Sequence, residues 1–273
     1  MRLRNLIILV ALFCGAFYWA GGKLATTLHG ETPPQASQAP QVSQGSPLPQ
    51  VSQIADSAAA RAKTALGTTG RYARFLNIKE AVDEARKGRP TAPLAEIPLP
   101  LQQAILMMED HRFYQHSGID PEGILRAMLV NLQSGDVVEG GSTITQQLAK
   151  NLFLSQDQTF GRKAEEAALA LALEHAYSKE ELLELYLNSI YFGSGAWGVV
   201  DASEHYFNKA PRNLSLAECA MLAGLPNAPS LTSPLEHPEA AKQRRQLVLD
   251  TMVKKGLLGP KQAREAGEQP LVP

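Results

Sequence analysis

Between Leu99 and Lys255 the chain repeats one pattern: an apolar stretch of helical period, then a glycine or proline break, with scarcely a window of strand alternation. Apolar residues recurring every three or four positions commit a segment to an amphipathic helix. A fold made of such segments must bury their stripes against one another. The spacing predicts helices over about residues 100–111, 121–133, 142–154, 160–177, 179–191, 196–207, 216–223 and 238–255. Turn signals fall at Gly118, Gly135, Gly140 with Gly141, Gly193 with Gly195, and across 226–234. The fold class is therefore mainly α. Residues 165–176, small and alanine-rich all round, read as a central buried helix, and the apolar 123–132 reads as core.

The residues ahead of this domain have a different character. Arg2 and Arg4 precede an apolar run over 6–22 with only Lys23 beyond it, an asymmetry that holds the amino terminus inside and exports the rest. No convincing small-residue cleavage site follows, so 1–24 reads as an uncleaved transmembrane anchor rather than a signal peptide. Pro, Gln and Ser dominate 25–60, which reads as a disordered linker. A weakly helical connector follows over 61–98, then a domain over 99–265 and a tail over 266–273. The net charge of -1 argues against a nucleic-acid partner. The two cysteines, Cys14 and Cys219, lie in unlike contexts, which argues against a disulfide, and show no metal-ligand spacing.

Chemistry concentrates in a few places. In the run from Gly140 to Asn151, two glycines allow close backbone approach, and Ser142 or Thr143 caps a helix. Thr143, Gln147, Lys150 and Asn151 then share one side. A polar, cationic stripe at a helix start suits a phosphate or sugar; the competing reading is a well-capped surface helix. Glu109 and Asp110 end an apolar helix, where a carboxylate with a raised pKa can act as a general base. Against this stands a solvated pair of acids bound to Arg112, with His116 merely structural. Arg162, Lys163 and Glu166 combine cations for a phosphate with a carboxylate, or else form an Arg162–Glu166 pair within one helix. The leucines of 182–187 are a core face, and Asn188 can fix a loop. Arg244 and Arg245 read as a brace on an amphipathic helix.

These pieces are, in order, ED-x-x-F-x-x-H-x-G, G-x-STITQQ-x-x-KN, RK-x-x-E, a K-x-x-L-L-E-x-Y-L-N stretch and RR-x-x-VL. Together, over about 99–258, they resemble the peptidoglycan glycosyltransferases, the lysozyme-like enzymes that polymerise bacterial cell-wall glycan. Leu182 stands where isoleucine is common, and Glu139 where glutamine is common. The short remainder after Leu258 suggests the monofunctional, membrane-anchored type. The resemblance implies a lysozyme-like helical domain with a smaller jaw subdomain around 123–132 that faces the membrane. It implies Glu109 as general base and Glu166 as the second essential carboxylate. Arg162, Lys163 and Lys150 would neutralise the pyrophosphate, while Thr143, Gln146, Gln147 and Asn151 would position sugar and phosphate oxygens. Asp110, Phe113 and His116 would orient Glu109, with Gly141, Ser142 and Asn188 in support.

The resemblance also implies lipid II and the growing polyprenyl-linked glycan as substrates, on the outer face of the bacterial cytoplasmic membrane, and other cell-wall synthesis proteins as partners. A divalent cation, Mg or Mn, is expected at the pyrophosphate, and no organic cofactor. Two rival readings remain. A lysozyme-type hydrolase would share the fold and the acid, but has no pyrophosphate for Lys150, Arg162 and Lys163 to hold. A silent relative that binds lipid II or scaffolds wall synthesis would be expected to have lost its acids.

Overall fold

The structure, a computed structural model, describes residues 77–136, 140–154 and 160–272. The anchor and linker expected over 1–60 lie outside them. Among the described residues there is no strand, only one isolated antiparallel bridge between Tyr191 and Trp197, and no helix long and apolar enough to cross a membrane.

Ten helices follow in order among the described residues: α1 Ile78–Arg86, α2 Leu99–Glu109, α3 Pro121–Ser134, α4 Ile144–Phe153, α5 Phe160–Ala176, α6 Lys179–Leu187, α7 Gly198–Phe207, α8 Leu216–Gly224, α9 Pro238–Lys254 and α10 Pro260–Glu268. Local chemistry sets their starts. Thr143, Ser178 and Ser215 each accept the backbone N–H three residues on, while Gln146, Glu181 and Glu218 reach back to the cap. Each of these reciprocal caps satisfies two backbone donors that a helix start leaves open. Proline opens α3, α9 and α10, where its missing N–H costs nothing. Gly135 ends α3 in a left-handed turn.

Packing makes α8 the middle of the domain. It lies against α2 and α9, and every one of its residues from Cys219 to Gly224 is buried. The thiol of Cys219 is pushed up to about 12 by burial, so it stays protonated and inert. On the other side α4 packs on α1, α5 and α6. The alanine-rich α5 does not take the central place expected of it. Among its described side chains only Glu166, Leu169, Ala170 and Leu173 are buried, one stripe at helical spacing.

Two segments outside the predicted helices belong to the core. In α1, within the expected connector, Ile78 and Val82 join the main apolar cluster, and the 3₁₀ turn Leu94–Glu96 sits on α6. Asn188 clamps that connector: its amide donates to the Ala92 carbonyl and accepts the Ala92 N–H, each at 2.8 Å. Asn188 thus fixes a loop as expected, and it ends α6 four residues before the predicted 191. At the far end, α10 runs past 265. The buried Arg245 donates to the carbonyls of Gly267, Gln269 and Pro270 at 2.7–3.0 Å, bracing what had read as a tail.

Candidate active site

The ends of three helices meet here: the last residues of α2, the first of α4 and the first turn of α5. Asp110, the cap of α2, accepts the backbone N–H of Ile144 on Oδ2 at 3.1 Å. Both its oxygens face His116 Nε2, at 3.0 and 3.1 Å. A carboxylate so placed holds the imidazole with Nε2 protonated, and it binds the end of α2 to the start of α4. Phe113, buried, packs edge-on to the His116 ring and lies 4.3 Å beneath the Lys179 ammonium. Lys179 in turn pairs with Glu174, which also accepts the Thr145 hydroxyl at 2.6 Å. Asp110, Phe113 and His116 therefore form one cluster at the end of α2, tied to α4 through the Ile144 N–H. The competing pairing with Arg112 does not form: Arg112 binds Asp120 at 3.0 Å and Glu122 at 2.8 Å.

Glu109 ends α2 inside this frame. Its Oε2 accepts from Gln147 Nε2 at 2.9 Å, while Oε1 is buried with no hydrogen-bond partner among the described residues. Burial pushes the carboxyl above the ordinary glutamate range, against the pull of the Gln147 hydrogen bond and the nearby Arg244 guanidinium. A desolvated carboxylate with one open oxygen is a stronger base than a solvated one. Glu109 lines a shallow hollow with His111, Asp120, Arg126, Gly141 and Ser142. Partial burial and the Arg126 and Lys255 cations hold the His111 imidazole below its usual range. At Gly141 a Cβ would stand 3.2 Å from the Ile124 Cα, so glycine lets this segment lie against α3.

At the edge of the hollow, Ser142 Oγ accepts from Lys163 Nζ at 3.0 Å, and Lys163 also pairs with the buried Glu166. Ser142, which lines the hollow with Glu109, is thereby linked to Lys163 and Glu166. Lys163 is half exposed and Arg162 stands beside it on the first turn of α5. Lys150 and Asn151, both half-buried, lie one to two turns along α4.

Two residues expected at the ligand are placed otherwise. Thr143, 2 % exposed, donates to the Gly118 carbonyl at 2.7 Å and accepts from Gln146 N; Gln146, 4 % exposed, returns the bond to Thr143 N. Their side chains build the helix start rather than face a ligand. Gln147 is likewise engaged at both ends of its amide, because its Oε1 accepts from the Tyr186 hydroxyl at 2.9 Å. Tyr186 and Arg244 are the residues near Glu109 that the sequence reading left to core and brace. The one available signal was that a tyrosine interrupts the leucines of α6.

The apolar stripe of α3 is not core. Leu125, Met128, Leu129 and Leu132 are 51–76 % exposed, and only Gly123 and Ala127 are buried.

A family model described as transglycosylase matches residues 77–253. The chain belongs to that family, the peptidoglycan glycosyltransferases that its five motifs resemble. It is 51% identical over 176 residues to penicillin-binding protein 1A of Aquifex aeolicus, covering 64% of this chain and 24% of that protein. It is 47% identical over 187 residues to penicillin-binding protein 1F of Bacillus subtilis, covering 68% and 26%. A Cupriavidus necator protein described as a transglycosylase is 46% identical over 183 residues, covering 67% and 79%. The chain thus spans about a quarter of the length of the two penicillin-binding proteins.

Proposed function

We propose that this protein polymerises lipid II into β-1,4-linked glycan with inversion at the anomeric carbon. The observation that carries the reading is Glu109: a desolvated carboxylate with one unpartnered oxygen, lining a hollow whose Ser142 holds the Lys163 ammonium that pairs with Glu166. Glu109 takes the proton of the acceptor 4-hydroxyl as that oxygen forms its bond to the anomeric carbon of the growing chain. The bond from that carbon to the pyrophosphate oxygen breaks, and the electron pair leaves with the polyprenyl pyrophosphate. That leaving group is already a stable anion, so it needs cations rather than a general acid. Arg162, Lys163 and Lys150 supply them, and Glu166 holds the Lys163 ammonium in place.

The donor set does not fit a resident metal. Glu166 is a single carboxylate already paired with Lys163, and among the described residues no three His, Cys, Asp or Glu side chains converge. A Mg or Mn ion expected at the pyrophosphate would arrive with the phosphates. No step above depends on it.

The exposed stripe of α3 beside this hollow supports contact with the membrane that carries the lipid substrate. The reading places the domain on the outer side of the bacterial cytoplasmic membrane, held there by the anchor expected over 1–24. Other cell-wall synthesis proteins are its expected neighbours.

The test is detergent-solubilised protein with labelled lipid II, beside Glu109→Gln, with products separated by size. Long glycan from the native protein alone is the expected result. Lipid II bound without polymer would establish a silent relative, and cleavage of preformed glycan would establish a hydrolase.

A further inference from the structure

Glu109 Oε2 is not held by Gln147 alone. The contact is the end of a chain of three side chains running from the core: Tyr186 hydroxyl to Gln147 Oε1 at 2.9 Å, then Gln147 Nε2 to Glu109 Oε2 at 2.9 Å. Tyr186 is fully buried on α6, and burial first, then the Glu109 and Asp110 charges, push its phenol well above its ordinary range. It therefore remains a neutral hydroxyl with one hydrogen to donate.

An amide can present either end to a carboxyl group. With its NH₂ toward Glu109, it stabilises the carboxylate, and its oxygen needs a donor behind it. With its oxygen toward Glu109, it accepts from a protonated carboxylic acid, and its NH₂ donates to the phenol oxygen. In the second arrangement the Tyr186 hydrogen has no acceptor, since Gln147 is the hydroxyl's only partner among the described residues. A buried donor left unpaired costs about 1–3 kcal/mol. The phenol therefore selects the arrangement in which Glu109 is an anion.

We infer that Tyr186 is a positioning residue for Glu109: by fixing the Gln147 amide it keeps Glu109 ionised and directs the incoming proton to Oε1. The occupied Oε2 is the poorer acceptor, and Oε1, buried and unpartnered, is left as the basic atom. The consequence for catalysis rests on Glu109 being the general base. The effect on its ionisation does not.

Tyr186→Phe keeps the ring and removes the donor, so the amide is free to turn and accept from protonated Glu109. The experiment uses full-length protein in detergent with glutamate labelled with ¹³C at the side-chain carboxyl, Glu109 being assigned by its loss in Glu109→Gln. The Glu109 resonance is expected to titrate at higher pH in Tyr186→Phe than in native protein. The acid limb of kcat should move the same way, with kcat on that limb about fivefold lower, as for one lost hydrogen bond between neutral groups. KM for lipid II should be unchanged.

Gln147→Met reaches the same chain from the other side. It should raise the titration by itself, and adding Tyr186→Phe to it should shift nothing further. An unchanged Glu109 titration in Tyr186→Phe, or a further shift in the Gln147→Met background, overturns the inference. If the titration moves but Glu109→Gln still polymerises, the positioning chain stands and the proposed role of Glu109 falls.

Discussion

The helices α3 and α8 carry seven apolar residues each, spread over 14 positions in α3 and nine in α8, and those residues meet opposite fates. In α8 the residues Cys219 to Gly224 face protein in every direction, because α2 and α9 close over it. In α3 the residues Leu125, Met128, Leu129 and Leu132 form a comparable stripe, and nothing among the described residues covers it. Apolar patterning states that a surface must leave water; which surface it leaves for is a property of the neighbours. The catalytic candidate sits where these regimes meet. Glu109 ends α2, a helix packed into the closed side through Leu101, Ala104 and Ile105, and lines the hollow that opens beside α3.

The largest expected effect is at that junction. Glu109→Gln should lower polymerisation about 10²–10⁴-fold, the usual worth of a positioned general base, with lipid II still bound. A variant that polymerises at the native rate would remove the base from this wall altogether. On the closed side, Leu222→Ala should cost about 2–5 kcal/mol in urea unfolding, as for other fully buried leucines. A much smaller loss would mean that α8 is not the packed centre.

On the open side the balance should reverse. Met128→Asp with Leu129→Asp should lower binding to vesicles of bacterial lipids roughly tenfold or more. That follows from losing about 1.5–3 kcal/mol per fully buried apolar side chain. The same pair should leave the thermal midpoint within a few degrees, as for exposed positions. Equal loss of folding would make α3 a core helix after all and abolish the contrast.

The smallest effect is on pH dependence. Burial raises the Glu109 pKa in the folded protein, so below the unfolded glutamate value both states are protonated and the group is neutral in its effect. As pH rises from there to the folded value, the unfolded chain gains the charge first and the native state loses stability. Glu109→Gln should therefore stabilise the protein at neutral pH and lose that advantage in acid. Thermal midpoints across the range check the sign.

Much of this was legible in the residues themselves. The start of α4 was readable from Thr143, one of the two caps expected there, because capping is local chemistry between neighbours in the chain. The acid pair at 109–110 and the cations at 162–163 stood out because each clusters charge beside a helix end. The clamp of Asn188 on Ala92 was visible only as an amide ending a leucine run. Its partner lies 96 residues away, and no local pattern names such a contact.

What the sequence determined by itself is the class: a mainly α domain with two carboxylates, a cationic turn and an apolar stripe, since helical period and charge spacing are short-range properties. The tertiary structure alone decided which polar groups were left open. It turned the Thr143 hydroxyl onto the Gly118 carbonyl and the Gln147 amide toward Glu109 with Tyr186 behind it. It also left the stripe of α3 bare while burying α8. The physical reason is common to all of these: hydrogen-bond satisfaction and burial depend on what other segments bring to a side chain, and those segments are distant in the chain.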